Sequence, residues 1–263
     1  MNLKKKLKFI FLLLIFLILP LLFFSWGLAL QKASGPNYLS TSYRGQHFDP
    51  EYAYLFNALN VIHGQAPWHI DHPGTPLQVL GAMVLKVQHP FENPAFFENL
   101  VFTEPEICLF QINLVINIMI FSVIFALGFV TFWVTKQMGL ALIMQLSPLI
   151  SLETMLTFSR VTPEPLLLSV TLLLVLILVT LLKFDLKQHL KSYLFLFSIL
   201  IGFALALKIS YFPLLLIPGI LFLKERKLWG FIFYAMISFF VFTLPIITRY
   251  KSIVGWVLRL GVH

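Results

Sequence analysis

The sequence predicts an all-α, polytopic membrane protein with about seven transmembrane helices and two amphipathic interfacial helices in its first outer loop. Of its 263 residues, 59% are hydrophobic and only 11% are charged, and the mean hydropathy is +0.90. Soluble domains are about half apolar and about a quarter charged. The chain also holds several apolar runs of membrane-spanning length, with basic residues concentrated between alternate runs. We therefore expect a single transmembrane domain over residues 1–263.

The first apolar run, residues 9–30, follows four lysines near the N-terminus. A helix needs about 20 apolar residues to cross the hydrocarbon layer. A secretory signal peptide has a shorter apolar core and a small-residue cleavage site. The length and bulk of this run therefore predict an uncleaved anchor.

Six more spans are predicted over residues 109–134, 138–158, 165–182, 192–207, 211–223 and 229–248. The sixth of the seven covers only about 20 Å as an α-helix, so it should be short or irregular. Pro213 and Pro218 favour irregularity because proline lacks a backbone N–H.

Charge predicts the orientation. If the spans alternate, the loops on the N-terminal side hold eleven basic residues and two acidic ones, whereas the opposite loops hold eight of each. The positive-inside rule then places the N-terminus in the cytoplasm. It also explains the net charge of +8 without a nucleic-acid partner. Cys108 is the single cysteine, so an internal disulfide is excluded.

Residues 31–108 form the one long hydrophilic region, predicted to be extracytoplasmic. Asp49-Pro50-Glu51 is typical of a helix start, and Gly64 of its end after His63. A second start at Thr75-Pro76 precedes an apolar stripe. Both helices should lie at the outer membrane surface, joined by a polar link over residues 65–74. The stripe of the second helix consists of Val79, Leu80, Met83, Val84 and Val87.

The predicted topology brings polar residues from three distant segments to one side of the membrane. These are Asp49 and Glu51 after the first span, Arg160 and Glu164 before the fourth, and Lys208 and Tyr211 after the fifth. Ionisable residues at such positions are commonly functional. Asp49 has a second interpretation as a helix cap, which contributes about 1 kcal/mol.

In their order, these motifs resemble the polytopic glycosyltransferases of the GT-C fold. The resemblance is greatest to the branch of protein O-mannosyltransferases and aminoarabinose transferases. It rests on the acidic residue that opens the loop helix, the segment His72-Pro73-Gly74-Thr75-Pro76-Leu77, and two further stretches over residues 159–164 and 202–208. It covers most of the chain.

The resemblance implies transfer of a sugar from a polyprenyl-phosphate donor to an acceptor outside the cytoplasm, generally with inversion. The acceptor is a protein, a glycolipid or a polysaccharide. Asp49 matches the general base of the family, which accepts the proton of the attacking hydroxyl. Lys208 matches a lysine that faces the donor phosphate; its other interpretation is a lysine that extends to the membrane surface. The family also implies a bacterial plasma membrane.

The remaining candidates have two interpretations each. Arg160 either pairs with Glu164, four residues on, or binds phosphate. Glu51 supports its helix N-terminus or shares the proton. Tyr211 lines the pocket or belongs to the interfacial aromatic belt.

His69, Asp71 and His72 lie close together, but their spacing is a weak zinc signature without a fourth ligand. They otherwise recognise hydroxyls or orient the link, and His72 is kept as a candidate substrate-binding residue. No cofactor is assigned, although a Mg²⁺ or Mn²⁺ held by Asp49 and the donor phosphate stays open. Glu153 is expected on the same helical face as Arg160, paired with a cation.

Two rival functions remain. A transporter would place charges near the midplane and often carries internal repeats, which the sequence lacks. The second rival is a non-catalytic membrane scaffold, such as a degenerate or truncated transferase. Members of the family are commonly longer, so we expect that the chain, which ends at His263, is a fragment.

Overall fold

The computed structural model describes residues 3–34, 51–70 and 73–260. Every regular element within these ranges is helical, in agreement with the predicted all-α class. Twelve α-helices are described, and three short 3₁₀ helices connect some of them: α1 Leu3–Ser34, α2 Glu51–Ile62, α3 Thr75–Gln88, α4 Pro94–Thr103, α5 Pro105–Thr135, α6 Met138–Leu146, α7 Leu152–Thr157, α8 Pro163–Thr180, α9 Leu190–Leu207, α10 Leu216–Lys224, α11 Leu228–Phe242 and α12 Tyr250–Leu260.

Four helices of the described residues are long and apolar enough to cross a membrane: Ile10–Leu30, Pro105–Thr135, Pro163–Thr180 and Leu190–Leu207. They coincide with four of the seven predicted spans. A fifth crossing results if α11 and the segment Leu244–Gly255 count as one span, although they are bent by 86°. These features define an all-α protein of the membrane-embedded class, while its orientation stays a prediction.

The third predicted span is wrong as a continuous helix. The chain forms α6, a 3₁₀ turn over Ser147–Ile150, and then the short helix α7. Pro148 lies in this turn, and its missing N–H cannot continue an α-helical ladder. Glu153 lies in α7, which ends at Thr157, so the shared helical face predicted for Glu153 and Arg160 does not exist.

The sixth predicted span is irregular, as expected. It begins as a 3₁₀ helix over Ile209–Leu215, which contains Pro213, and continues as α10. The seventh predicted span bends after Phe242, where Pro245 stands at the start of the next 3₁₀ helix. Proline again removes the hydrogen bond that a straight helix would need.

The two predicted helices of the outer loop are confirmed as α2 and α3. Gly64 follows α2 with a φ of 69°, a left-handed conformation that glycine adopts at no steric cost. The stripe predicted for α3 is only partly its buried face, because Met83 and Val87 are 58% and 77% exposed. The core is contacted by Val84 of this stripe and by Leu77 and Leu85 on the neighbouring face of the helix.

Helices α9 and α11 pack closely at Gly202. A Cβ placed on Gly202 would lie 2.4 Å from the Cβ of Ser238 and 2.7 Å from the carbonyl oxygen of Ala235. Two hydrogen bonds cross the same interface, from Ser238 Oγ to the Ile199 carbonyl (3.1 Å) and from Ser198 Oγ to the Phe231 carbonyl. Small residues permit this approach between apolar helices.

We expect Gly202→Ala to destabilise the protein by about 1–3 kcal/mol, since the added methyl group forces the two backbones apart. Thermal unfolding of the detergent-purified protein measures the effect. Gly139→Ala in α6 is the matched control, because a Cβ at that position meets nothing within 4 Å. Equal melting temperatures for the two variants would contradict the close packing of α9 on α11.

Candidate functional site

An ion pair between Lys208 and Glu164 forms the centre of the candidate site. Lys208 caps the C-terminus of α9 in extended conformation, and Glu164 lies in the first turn of α8. Lys208 Nζ donates to Glu164 Oε1 at 2.7 Å. Each charge has the sign that its helix end favours. The side chains are 21% and 35% exposed, respectively, so a bound ligand can reach both.

This pair decides between the interpretations of Arg160. The pairing of Arg160 with Glu164 is wrong, because Glu164 pairs with Lys208. The predicted four-residue spacing requires one helix, whereas α8 begins only at Pro163 and the structure places Arg160 in the preceding link. Phosphate binding by Arg160 stays a prediction.

Glu51 has a structural contact that the sequence did not indicate. It is fully buried, and its Oε1 accepts a hydrogen bond of 3.1 Å from the backbone N–H of Val161. It thus holds the start of α2 against the link that precedes α8. Its position in the first helical turn agrees with the predicted support of the helix N-terminus.

Two buried asparagines of α5 hold the same link from the other side. Asn113 Nδ2 donates to the carbonyls of Phe158 and Arg160, both at 3.0 Å, and Asn117 Nδ2 donates to the Phe158 carbonyl at 2.9 Å. Sequence reasoning missed this role. Two asparagines four residues apart in an apolar helix were a usable signal, because buried amides need partners.

The segment around Gly74 docks directly beside Lys208. The N–H of Gly74 donates to the carbonyl of Leu207 at 3.2 Å, which occupies an otherwise unpaired acceptor at the end of α9. Gly74 has a φ of 61°, which a residue with a Cβ rarely adopts. Gly74 and Lys208 are therefore neighbours in the structure.

Asn57 of α2 orders the first half of this link. It is fully buried, and its Oδ1 accepts from the backbone N–H groups of Trp68 (2.7 Å) and His69 (3.3 Å). Gln78 of α3 donates through Nε2 to the His69 carbonyl at 3.0 Å. These amides, which the sequence analysis did not single out, hold the backbone of Trp68 and His69 in place.

Tyr211 contacts the other side of the site. Its hydroxyl pairs with the Thr171 hydroxyl and donates to the Leu167 carbonyl at 3.2 Å. Both partners lie on α8, one and two turns beyond Glu164. Tyr211 therefore binds the start of the sixth segment to α8.

An apolar groove of about 460 Å³ is lined in part by α8 and α9, the two helices whose ends carry the ion pair. Leu166 and Phe203 connect it to the helix ends that carry Glu164 and Lys208. Val79, Leu80 and Met83 of α3 form another wall, and Met83 is the exposed one of the three. The groove is lined by Pro76, Val79, Leu80, Met83, Met119, Leu166, Phe203, Val241, Phe242, Leu244 and Pro245.

A second groove of about 460 Å³ lies over α2 and α4 and combines aromatic and polar side chains. Trp68, which is 56% exposed, belongs to the link that docks beside Lys208. The lining residues are Phe56, Leu59, Asn60, His63, Gln65, Trp68, Glu98 and Phe102.

Three candidates fall outside the described residues. Asp49, Asp71 and His72 belong to this group, so the proximity of Asp49 to Lys208 stays a prediction. Among residues 3–34, 51–70 and 73–260, no group of three side chains has the composition of a metal site. The ring of His69 packs edge-on against Tyr54, with centroids 5.3 Å apart.

Comparison of the chain with protein-family models, with curated proteins and with solved structures finds no match. Fold and site together define a helical, membrane-embedded protein with a charged centre at the ends of two helices that also line an apolar groove.

Proposed function

We propose that this protein is a membrane glycosyltransferase that moves a sugar from a polyprenyl-phosphate donor to an acceptor at the extracytoplasmic face, with inversion at the anomeric carbon. The observation that carries the proposal is the Lys208–Glu164 pair, which stands at the ends of two helices that also line an apolar groove. Such a site suits a ligand with an anionic head and a long apolar tail.

Lys208 receives the donor phosphate. An ammonium group has three N–H donors and binds phosphate as a point charge. Glu164 engages one side of this ammonium group and thereby orients it. As the phosphate departs, its negative charge grows, and a fixed cation stabilises that state more than the ground state.

The apolar groove receives the first prenyl units of the donor. Its walls are apolar side chains of α3, α5, α8, α9 and α11 and of the adjoining 3₁₀ segment. An isoprenoid chain buried there gains roughly 25 cal/mol per Å² of apolar surface removed from water. The tail keeps the donor in the bilayer while its phosphate reaches Lys208.

Asp49 is the proposed base. The acceptor hydroxyl oxygen bonds to the anomeric carbon on the face opposite the phosphate, and its proton passes to the Asp49 carboxylate. The bond from the anomeric carbon to the phosphate oxygen breaks, and its electron pair leaves with polyprenyl phosphate. Glu51 does not share this proton in the proposal. Its buried contact with the N–H of Val161 supports a positioning role.

Reconstitution in liposomes tests the proposal. The purified protein is supplied with polyprenyl-phosphate hexoses and pentoses and with candidate acceptors, and released polyprenyl monophosphate is quantified by mass spectrometry. We expect release and a glycosylated product with at least one donor. Solute uptake without any glycosylated product would instead establish the transporter, whose broken helices have a counterpart in the 86° bend after α11.

We also expect the aromatic groove over α2 and α4 to bind the acceptor. Trp68→Ala should raise the KM for the acceptor about 10-fold, because an aromatic contact is removed from a rigid segment. The kcat should change little, since Trp68 takes no part in proton transfer or phosphate departure. Trp229→Ala is the control at another exposed tryptophan. An unchanged KM would remove this groove from the acceptor path.

A further inference from the structure

A large cavity at the other end of α9 has no part in the proposed reaction. It measures about 950 Å³ and lies between the starts of α9 and α11. The 18 residues of α9 rise about 27 Å, so this cavity and Lys208 lie at opposite membrane faces if α9 spans the bilayer. It is lined by Lys187, Gln188, His189, Leu190, Lys191, Ser192, Leu194, Phe195, Lys227, Gly230 and Tyr234.

The charge of this cavity has one sign. Lys187, Lys191 and Lys227 line it, and its lining contains no carboxylate. In the described part of the chain, these three lysines form no ion pair. The nearby Asp185 uses its Oδ1 to accept from the backbone N–H of Lys187 at 3.1 Å, so that bond leaves the Lys187 ammonium group unengaged. Three cations that line one cavity favour an anionic ligand.

Beside the lysines, Gln188, His189 and Ser192 add polar groups to the lining, and the rest of the wall is largely apolar and continues along α9 and α11. Leu194 and Phe195 lie on α9, and Tyr234 lies on α11. Phe195 and Tyr234 are exposed. Gly230 leaves the floor open, because a Cβ there would only reach ordinary contact with Leu194, at 3.8 Å. A soluble anion would leave these walls uncovered, whereas acyl chains would cover them.

We propose that this cavity binds an anionic phospholipid. Lys187, Lys191 and Lys227 hold its phosphate, and its acyl chains lie along Leu194, Phe195 and Tyr234. Basic pockets between transmembrane helices are suited to such head groups. Trp229, exposed beside the cavity, has the position expected of an aromatic residue at the membrane surface. The proposal does not depend on the glycosyltransferase activity.

Native mass spectrometry of the full chain, released from nanodiscs of phosphatidylcholine with added phosphatidylglycerol, measures the binding. We expect the protein to retain phosphatidylglycerol and not phosphatidylcholine. Each lysine near an anionic surface contributes about five-fold in affinity, so the triple variant Lys187→Gln, Lys191→Gln, Lys227→Gln should bind roughly 100-fold more weakly. Its melting temperature in phosphatidylcholine alone reports on folding.

The matched control is the triple variant Lys6→Gln, Lys136→Gln, Lys224→Gln. It removes the same charge from exposed lysines that do not line the cavity, and its affinity should change only a few-fold. Gly230→Leu keeps every charge but fills the apolar floor, and it should also weaken binding. Equal losses in both triple variants would overturn the proposal in favour of general surface charge. Displacement of the lipid by inorganic phosphate, or full retention in Gly230→Leu, would overturn it as well.

Discussion

Lys208→Ala is expected to lower the kcat for sugar transfer by about 10²–10³, the usual cost of removing one preorganised group that stabilises developing negative charge. The ammonium of Lys208 is held at 2.7 Å from Glu164, at the end of a helix that also lines the apolar groove that we assign to the donor tail. Release of polyprenyl phosphate under saturating acceptor measures the loss.

The control for this variant is Lys86→Ala, which removes a cation from α3 that lies 4.7 Å from the ring centre of Phe97. It should retain nearly full activity. If Lys86→Ala and Lys208→Ala lose activity equally, the effect reports on surface charge, and Lys208 has no direct role with the phosphate.

The partner of Lys208 distinguishes orientation from direct contact. We attribute a positioning role to Glu164. Glu164→Gln keeps a hydrogen-bond acceptor near Lys208 but removes the charge, so its kcat should fall less than that of Lys208→Ala. A double-mutant cycle should show strong coupling, since residues in contact are not additive. Additive losses would show that each residue acts alone. In Lys208→Ala, Glu164 loses its cationic partner, which can also lower stability. Melting temperatures of the variants separate that loss of stability from the loss of activity.

Asp49→Asn is expected to lower kcat by about 10²–10⁴, the contribution of a positioned general base. The substitution is informative because asparagine caps a helix about as well as aspartate. A residue that serves only as the cap of α2 would therefore tolerate it, with activity and melting temperature unchanged. A base would lose activity at an unchanged melting temperature and an unchanged KM for the donor.

Asp185→Asn is the matched control. This carboxylate precedes the start of α9, whereas Lys208 follows its end, and it accepts a hydrogen bond from the backbone N–H of Lys187. Retained sugar transfer in Asp49→Asn would exclude Asp49 as the base. Loss of transfer together with a lowered melting temperature would point to folding instead, and Asp49→Glu would then separate the two because it keeps the carboxylate.

Local features of the sequence predicted much of the fold. Helix α2 ends next to Gly64, and α3 starts at Thr75-Pro76, because these residue types favour helix ends through their own backbone geometry. The long apolar runs of α1, α5, α8 and α9 follow from composition alone. Lys208 follows the last residue of α9, as the change from apolar to polar residues predicted.

Partners and exposed faces could not be predicted in this way. The stripe of α3 was correctly seen as apolar, yet Met83 is exposed at a groove rather than packed in the core. Periodicity identifies an apolar face but does not tell whether protein or lipid will cover it. The third span was predicted over residues 138–158, and its break at Pro148 was not foreseen.

The sequence by itself determined the all-α class, four of the helices that are apolar enough for a membrane and where the charges stand along the chain. Those properties depend on neighbours within a few residues. Only the tertiary structure decided that Glu164 pairs with Lys208 instead of Arg160, that Glu51 holds Val161 and that Gly74 docks on Leu207. These contacts join residues far apart in the chain, and their geometry follows from how the helices pack.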